Sequence, residues 1–242
     1  MRVALISDLH GNQVSLSAVL EDIDRRGVDE VVCLGDVATL GARPNDVLET
    51  LAARGIRCIL GNHDAFMIDE ELIRTYTEVP IVVEAVDWCR DQLSQDEVSY
   101  LAKFQASLRI DLGPNTSALL FHGSPRSHME DLLATTDASD LDEALGDASA
   151  TVMAGGHTHL QLLRQHRGNL LVNPGSVGMP FREFPNGCTP KILPFAEYAV
   201  IEANGDAVEV HLRRVGVDKH LLYKQAAGCP NPICRSLELQ YS

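Results

Sequence analysis

Positive charge is scarce in this chain: 20 Lys and Arg stand against 34 Asp and Glu, a formal net charge of −14 over 242 residues. Binding of long nucleic acid rests on a basic surface, so that class is disfavoured, whereas a small phosphate ester needs only a local positive centre. Long uninterrupted apolar runs are missing, so no transmembrane helix and no membrane association are expected. The N-terminus reads as one Arg, a short strand and then polar residues, not as a signal peptide, so a cytoplasmic protein is expected. The six cysteines include no C-x-x-C pair. Cys33 and Cys58 lie in strand-like runs and read as buried inert thiols. Cys229 and Cys234 sit in a Pro-rich tail without the two further ligands a zinc site there would need. Internal repeats, low-complexity stretches and linkers are missing too. With 45% hydrophobic and 22% charged residues, residues 1–242 read as one α/β domain, with 217–242 a C-terminal helix and tail.

What is present is a series of apolar strands that end in polar residues. Val3-Ala4-Leu5-Ile6 runs into Ser7-Asp8-Leu9-His10-Gly11-Asn12, and a helix pattern follows from Val14 to Arg26, closed by Gly27. On an extended segment Asp8 and His10 would share one side. Glu30–Leu34 runs into Gly35-Asp36, a helix follows from about Asn45 to Arg54, and Ile56–Leu60 runs into Gly61-Asn62-His63-Asp64. This alternation predicts a largely parallel sheet, whose ligand site lies at the carboxyl ends of its strands. Residues 66–104 read as helical, with a capping box at Ser94–Glu97. Hairpin patterns cover 107–121, 160–172 and 198–213. Short runs end in His122-Gly123 and in Gly155-Gly156-His157-Thr158-His159.

Asp8, His10, Asp36, Asn62, His63, His122, His157 and His159 therefore share one location in the chain's design, the end of an apolar run. Carboxylate, imidazole and amide oxygen together suit borderline or hard divalent ions such as Mn, Fe, Zn, Ni or Co, and no cysteine joins the set. The set is too large for one ion. Two ions about 3.5–4 Å apart, sharing a carboxylate, would use it fully.

The motifs Asp8-x-His10, Gly35-Asp36, Gly61-Asn62-His63-Asp64, His122-Gly123 and Gly156-His157-Thr158-His159 resemble, in order, those of calcineurin-like metallophosphoesterases. The stretch from Asp36 to Val47, Trp88 ahead of Leu93-Ser94, and Asn173–Gly178 resemble the small bacterial and archaeal phosphodiesterase branch of that superfamily. The resemblance implies a four-layer α/β/β/α sandwich. It implies that Asp8, His10, Asp36 and His159 hold a first ion and Asp36, Asn62, His122 and His157 a second. His63 would then be the catalytic residue facing the leaving group. Ala38–Ala42 departs from the branch pattern, which bears on substrate contacts and not on metal binding.

The function expected is hydrolysis of small phosphodiesters by a metal-bound hydroxide. Two divalent transition-metal ions are implied, manganese foremost with nickel, iron, zinc and cobalt behind it. A phosphomonoesterase is the nearest alternative. A non-catalytic scaffold would predict broken motifs, and these are intact; a sensor acting on a partner through the 66–106 helices or the 217–242 tail would show an exposed apolar patch there. Arg126, close behind His122, is a candidate for binding the substrate phosphate, with a solvated loop arginine as the plain reading. Asp64 reads equally as a partner of His63 or as a helix-start carboxylate. Asn173–Gly178 reads most simply as a turn, and a homo-oligomer is compatible with the resemblance.

Overall fold

A computed structural model describes residues 1–242. Ten strands and nine helices follow in the order β1 (Arg2–Ile6), α1 (Gln13–Arg26), β2 (Glu30–Cys33), α2 (Pro44–Ala53), β3 (Arg57–Cys58), α3 (Asn62–Ile68), α4 (Glu70–Tyr76), α5 (Pro80–Gln92), α6 (Gln95–Leu101), β4 (Leu108–Gly113), β5 (Thr116–Leu120), α7 (Ala138–Leu145), β6 (Val152–Ala154), β7 (Leu162–His166), β8 (Asn169–Asn173), β9 (Phe195–Asn204), β10 (Ala207–Gly216), α8 (Lys219–Ala226) and α9 (Pro232–Tyr241).

The strands form two five-stranded sheets, ordered β10-β9-β1-β2-β3 and β4-β5-β6-β8-β7. Each is mixed. β1, β2 and β3 are parallel, as are β5, β6 and β8, while β9, β10, β4 and β7 pair antiparallel. The parallel expectation thus holds for the strands that lead into the motifs. The antiparallel members come from hairpins, which need only short turns.

Alternation along the strands explains the layers. Val3, Leu5, Val32 and Leu34 of the first sheet meet Ile110, Leu120, Val152 and Val172 of the second in one buried cluster. Ala4, Ile6 and Cys33 face the other way and pack under α1, α2 and α5 through Leu16, Leu48 and Val86. The outer face of the second sheet is covered by α7 through Leu141 and Leu145. The result is the α/β/β/α sandwich that the resemblance implied. No helix is long and apolar enough to cross a membrane.

Several boundaries differ from expectation, each for a local reason. The helical stretch after Phe66 is four helices, because Asp69 caps α4, Pro80 starts α5 and the Ser94–Glu97 capping box starts α6. β3 shortens to two residues, and Ile59 continues as a single bridge to Gln105. The tail folds as α9, started by Pro232 behind the capping side chain of Asn231. Asn231 is buried against Cys89 Sγ of α5 at 3.2 Å. Cys234, Leu237 and Tyr241 pack with Leu222 and Met179.

Candidate metal centre

The parallel strands of both sheets end along one edge, and the loops leaving them carry the motifs. Their aim does not come from strand alternation. β1 stops at Ile6, and Asp8 (φ 53°) and His10 (φ 44°) are both left-handed, as are Asp36 (57°), His157 (68°) and His159 (59°). The backbone is held there by neighbours: Asp8 N donates to Gly35 O, His10 N to Asp36 O, and Gly156 N to His122 O. Asp8 and His10 thus reach one site by tight turns, which corrects the extended-segment expectation.

Glycine is required where these turns touch. A Cβ on Gly61 would run into the Asp36 carboxylate and its backbone, and one on Gly156 into Ser7 and Asp8. The Asn173–Gly178 turn braces the first motif from below. Ser176 Oγ donates to Asp8 O at 2.7 Å, and Gly178 N donates to the same oxygen at 3.0 Å. Asp64 ties two motifs together: its carboxylate accepts from the N–H groups of Asp36, Val37 and Gly61 at 2.8–2.9 Å. Of the two readings of Asp64, the helix-start carboxylate is the one its contacts match. Burial and the charge of Asp36 push its pKa up to about 6 against those bonds.

Six of the expected ligands fall into two groups, Asp8–His10–His159 and Asp36–His122–His157. Asp36 stands between them: its Oδ2 is 3.8 Å from His10 Nε2 and 3.4 Å from His122 Nε2. Asn62 joins the second group, its Oδ1 3.0 Å from His122 Nε2. The donor chemistry fits cations. His159 Nδ1 faces Met179 O at 2.7 Å and His122 Nδ1 faces Leu34 O at 2.7 Å. A carbonyl only accepts, so both Nδ1 atoms carry a proton and both Nε2 atoms are turned inward, in the manner of metal-binding histidines with an outer hydrogen-bond partner. The His159 Nε2 lone pair lies 3.0 Å from His10 Nε2 and 3.4 Å from Asp8 Oδ1, a buried oxygen with no hydrogen-bond partner. Nε2 of His122 faces two acceptors, Asn62 Oδ1 at 3.0 Å and Asp36 Oδ2 at 3.4 Å. Acceptors aimed at one another at this depth call for positive charge between them.

The protein's own charges register the same demand. Burial opposes a charged His122, yet Asp36 and Asp8 push its pKa up to about 9. Burial, with His122 alongside, pushes His157 down to about 3. Asp36 is held well below the carboxylate range, because His122 and His63 outweigh its burial.

His63 is set over both groups. Its N–H donates to Asp36 Oδ1 at 2.9 Å, and its ring stands edge-on to His10 and Phe66, with centroids 5.1 Å away in each case. Nδ1 of this ring is buried with no partner in the protein. Burial lowers its pKa, with Asp36 opposing.

Arg126 is not gathered into this cluster. Its Nε donates to Glu130 Oε2 at 3.1 Å and its Nη1 to Glu143 Oε1 at 3.2 Å, and the side chain is half exposed. The sequence reading missed Asp131, whose Oδ1 is 3.4 Å from His157 Nε2, and Tyr76, whose ring is 6.5 Å from that of His63. Neither belongs to a motif, and only the folded loops bring them to the site. No cysteine joins either group.

Two neighbouring acid-histidine groups at the edge of an α/β/β/α sandwich are a centre of the metallophosphoesterase type. The model of the calcineurin-like phosphoesterase superfamily domain matches residues 1–191, and the chain belongs to that family, whose members carry out metal-dependent phosphoester hydrolysis. An uncharacterized protein of Methanocaldococcus jannaschii is 27% identical over 195 residues, 74% of this chain and 76% of that one. The crystal structure of a metallophosphoesterase from Sphaerobacter thermophilus is 27% identical with a TM-score of 0.74, covering 100% of this chain and 98% of that one. A hypothetical protein from Pyrococcus horikoshii shares the fold, with a TM-score of 0.79 at 18% identity over 98% and 97% of the two chains.

Proposed function

We propose that this protein hydrolyses small phosphodiesters with two divalent transition-metal ions, manganese the first to try. Asp8, His10, His159 and Asp36 would hold one ion, and Asp36, Asn62, His122 and His157 the other. Ions bound there would supply the positive charge that lowers the pKa of water and neutralises phosphoryl oxygens.

The chain's own part is positioning. Asp36 carries the reading: one carboxylate reaches Nε2 atoms of both groups, at 3.8 and 3.4 Å, while its other oxygen anchors the backbone of His63. That anchor, with the edge contacts to His10 and Phe66, fixes the His63 imidazole. The imidazole would share a proton with the leaving-group oxygen. A cytoplasmic setting belongs to the same reading, and six free thiols fit a reducing compartment.

The test is to strip the protein of metal and refill it separately with Mn, Ni, Co, Zn and Mg. Rates on bis-p-nitrophenyl phosphate and p-nitrophenyl phosphate are then compared. Diester cleavage is expected to be the faster. His63→Ala is expected to lower it by about 100-fold or more while metal content holds. Faster monoester cleavage would overturn the substrate class, and no turnover with any metal would overturn the hydrolase reading.

A further inference from the structure

The loop leaving β5 passes through His122 and comes back to the site nine residues later. It folds tightly: a Cβ on Gly123 would meet Ser127 O and Glu130 N within 2.8 Å. Ser124 N donates to Ser127 O at 2.7 Å and Ser124 Oγ to Glu130 Oε2 at 2.6 Å. Arg126 closes the brace by pairing with Glu130 and Glu143. What this brace delivers is Asp131, whose carboxylate stands 3.4 Å from His157 Nε2 and is about half exposed, at 47%. The contact sets Asp131 beside the second acid-histidine group, to which His157 belongs.

A carboxylate at this point sets the charge that substrate meets. Two divalent ions bring +4, Asp8 and Asp36 return −2, and Asp131 lowers the remaining +2 to +1. The arginine of the same loop does not offset it, being committed to two glutamates.

We propose that Asp131 is a specificity-determining residue that disfavours dianionic phosphomonoesters and thereby selects monoanionic phosphodiesters. This rests on the two-ion hydrolase reading above. It gives the diester preference a cause in this chain's own charges: a second negative charge on the substrate meets Asp131 at short range. At the effective dielectric constant of a protein surface that repulsion corresponds to about tenfold or more in affinity.

Asp131→Asn keeps the size and removes the charge, and Asp131→Glu keeps the charge. The metal-loaded proteins are assayed on p-nitrophenyl phosphate and bis-p-nitrophenyl phosphate. They are also titrated calorimetrically with inorganic phosphate, mostly dianionic at about pH 8. Asp131→Asn is expected to raise the monoester-to-diester ratio of kcat/KM by about tenfold and to tighten phosphate by a similar factor. Metal content by elemental analysis is expected to stay at the wild-type level, and Asp131→Glu to keep the wild-type ratio. An unchanged ratio together with unchanged phosphate affinity in Asp131→Asn would overturn the proposal. So would loss of metal in that variant, which would make Asp131 a ligand. If the wild type cleaves neither ester, the hydrolase reading falls separately, and the phosphate titration still decides for or against Asp131.

Discussion

Asp8, His10, Asp36, His157 and His159 all adopt left-handed backbone without being glycine. The conformation costs about 1–2 kcal/mol per residue. Asp tolerates it better than most residues because its short polar side chain bonds locally. Here strain and side-chain placement go together, since all five of these residues have their ligand atoms in the two acid-histidine groups. The arrangement leaves no slack around Asp36, whose carboxylate and amide lie against Gly61. Gly61→Ala is therefore expected to displace Asp36 and lower the metal content of the purified protein. Gly216→Ala, which would meet nothing within 4 Å, should leave it at the wild-type level in the same elemental analysis. The ligand side chains were legible because each sits at the end of an apolar run, beside glycine or another member of the set. Their hydrogen-bond partners were not. Met179 O and Leu34 O are backbone atoms that any residue offers, and Asp131 belongs to no motif.

Elements bring these residues together through turns that carry their own costs. β9 holds Glu197 beneath the Gly175 turn. The carboxyl is 1% exposed, one oxygen accepts from Arg214 Nε at 3.1 Å, and the other has no partner. Burial pushes its pKa up to about 7, with Arg214 only partly opposing. A carboxyl whose folded pKa lies above its unfolded value stabilises fully below the unfolded value, near 4.5, and loses that contribution as pH rises through about 7. Glu197→Gln is thus expected to gain thermal stability over the wild type between pH 4 and pH 8, read as a widening difference in Tm by calorimetry. A constant difference across that range would contradict the assignment. Strand and hairpin positions were read well from apolar runs and turn residues. β3 was overestimated, because Ile59 is buried without a continuing ladder. α9 was overlooked, although Asn231-Pro232 is a start signal; its apolar face has meaning only against Met179 and α8.

At the scale of the molecule, two mixed sheets pack face to face so that β1, β2, β3, β5 and β6 all end over one centre. The four layers were legible only through the family resemblance of the motifs, strand patterning alone giving a largely parallel sheet. The antiparallel hairpins at the sheet margins follow from chain connections that no single window of sequence displays. A net charge of −14 surrounds a centre built to hold cations, so the molecule as a whole repels polyanions while the centre accepts a small one. Everything argued for the site depends on two ions meeting at Asp36. The most direct measurement is a calorimetric titration of the metal-free protein with manganese, backed by elemental analysis of the loaded form. The account predicts two ions per chain in the wild type and loss of both tight sites in Asp36→Ala. One ion per chain, or two that survive Asp36→Ala with undiminished affinity, would contradict it.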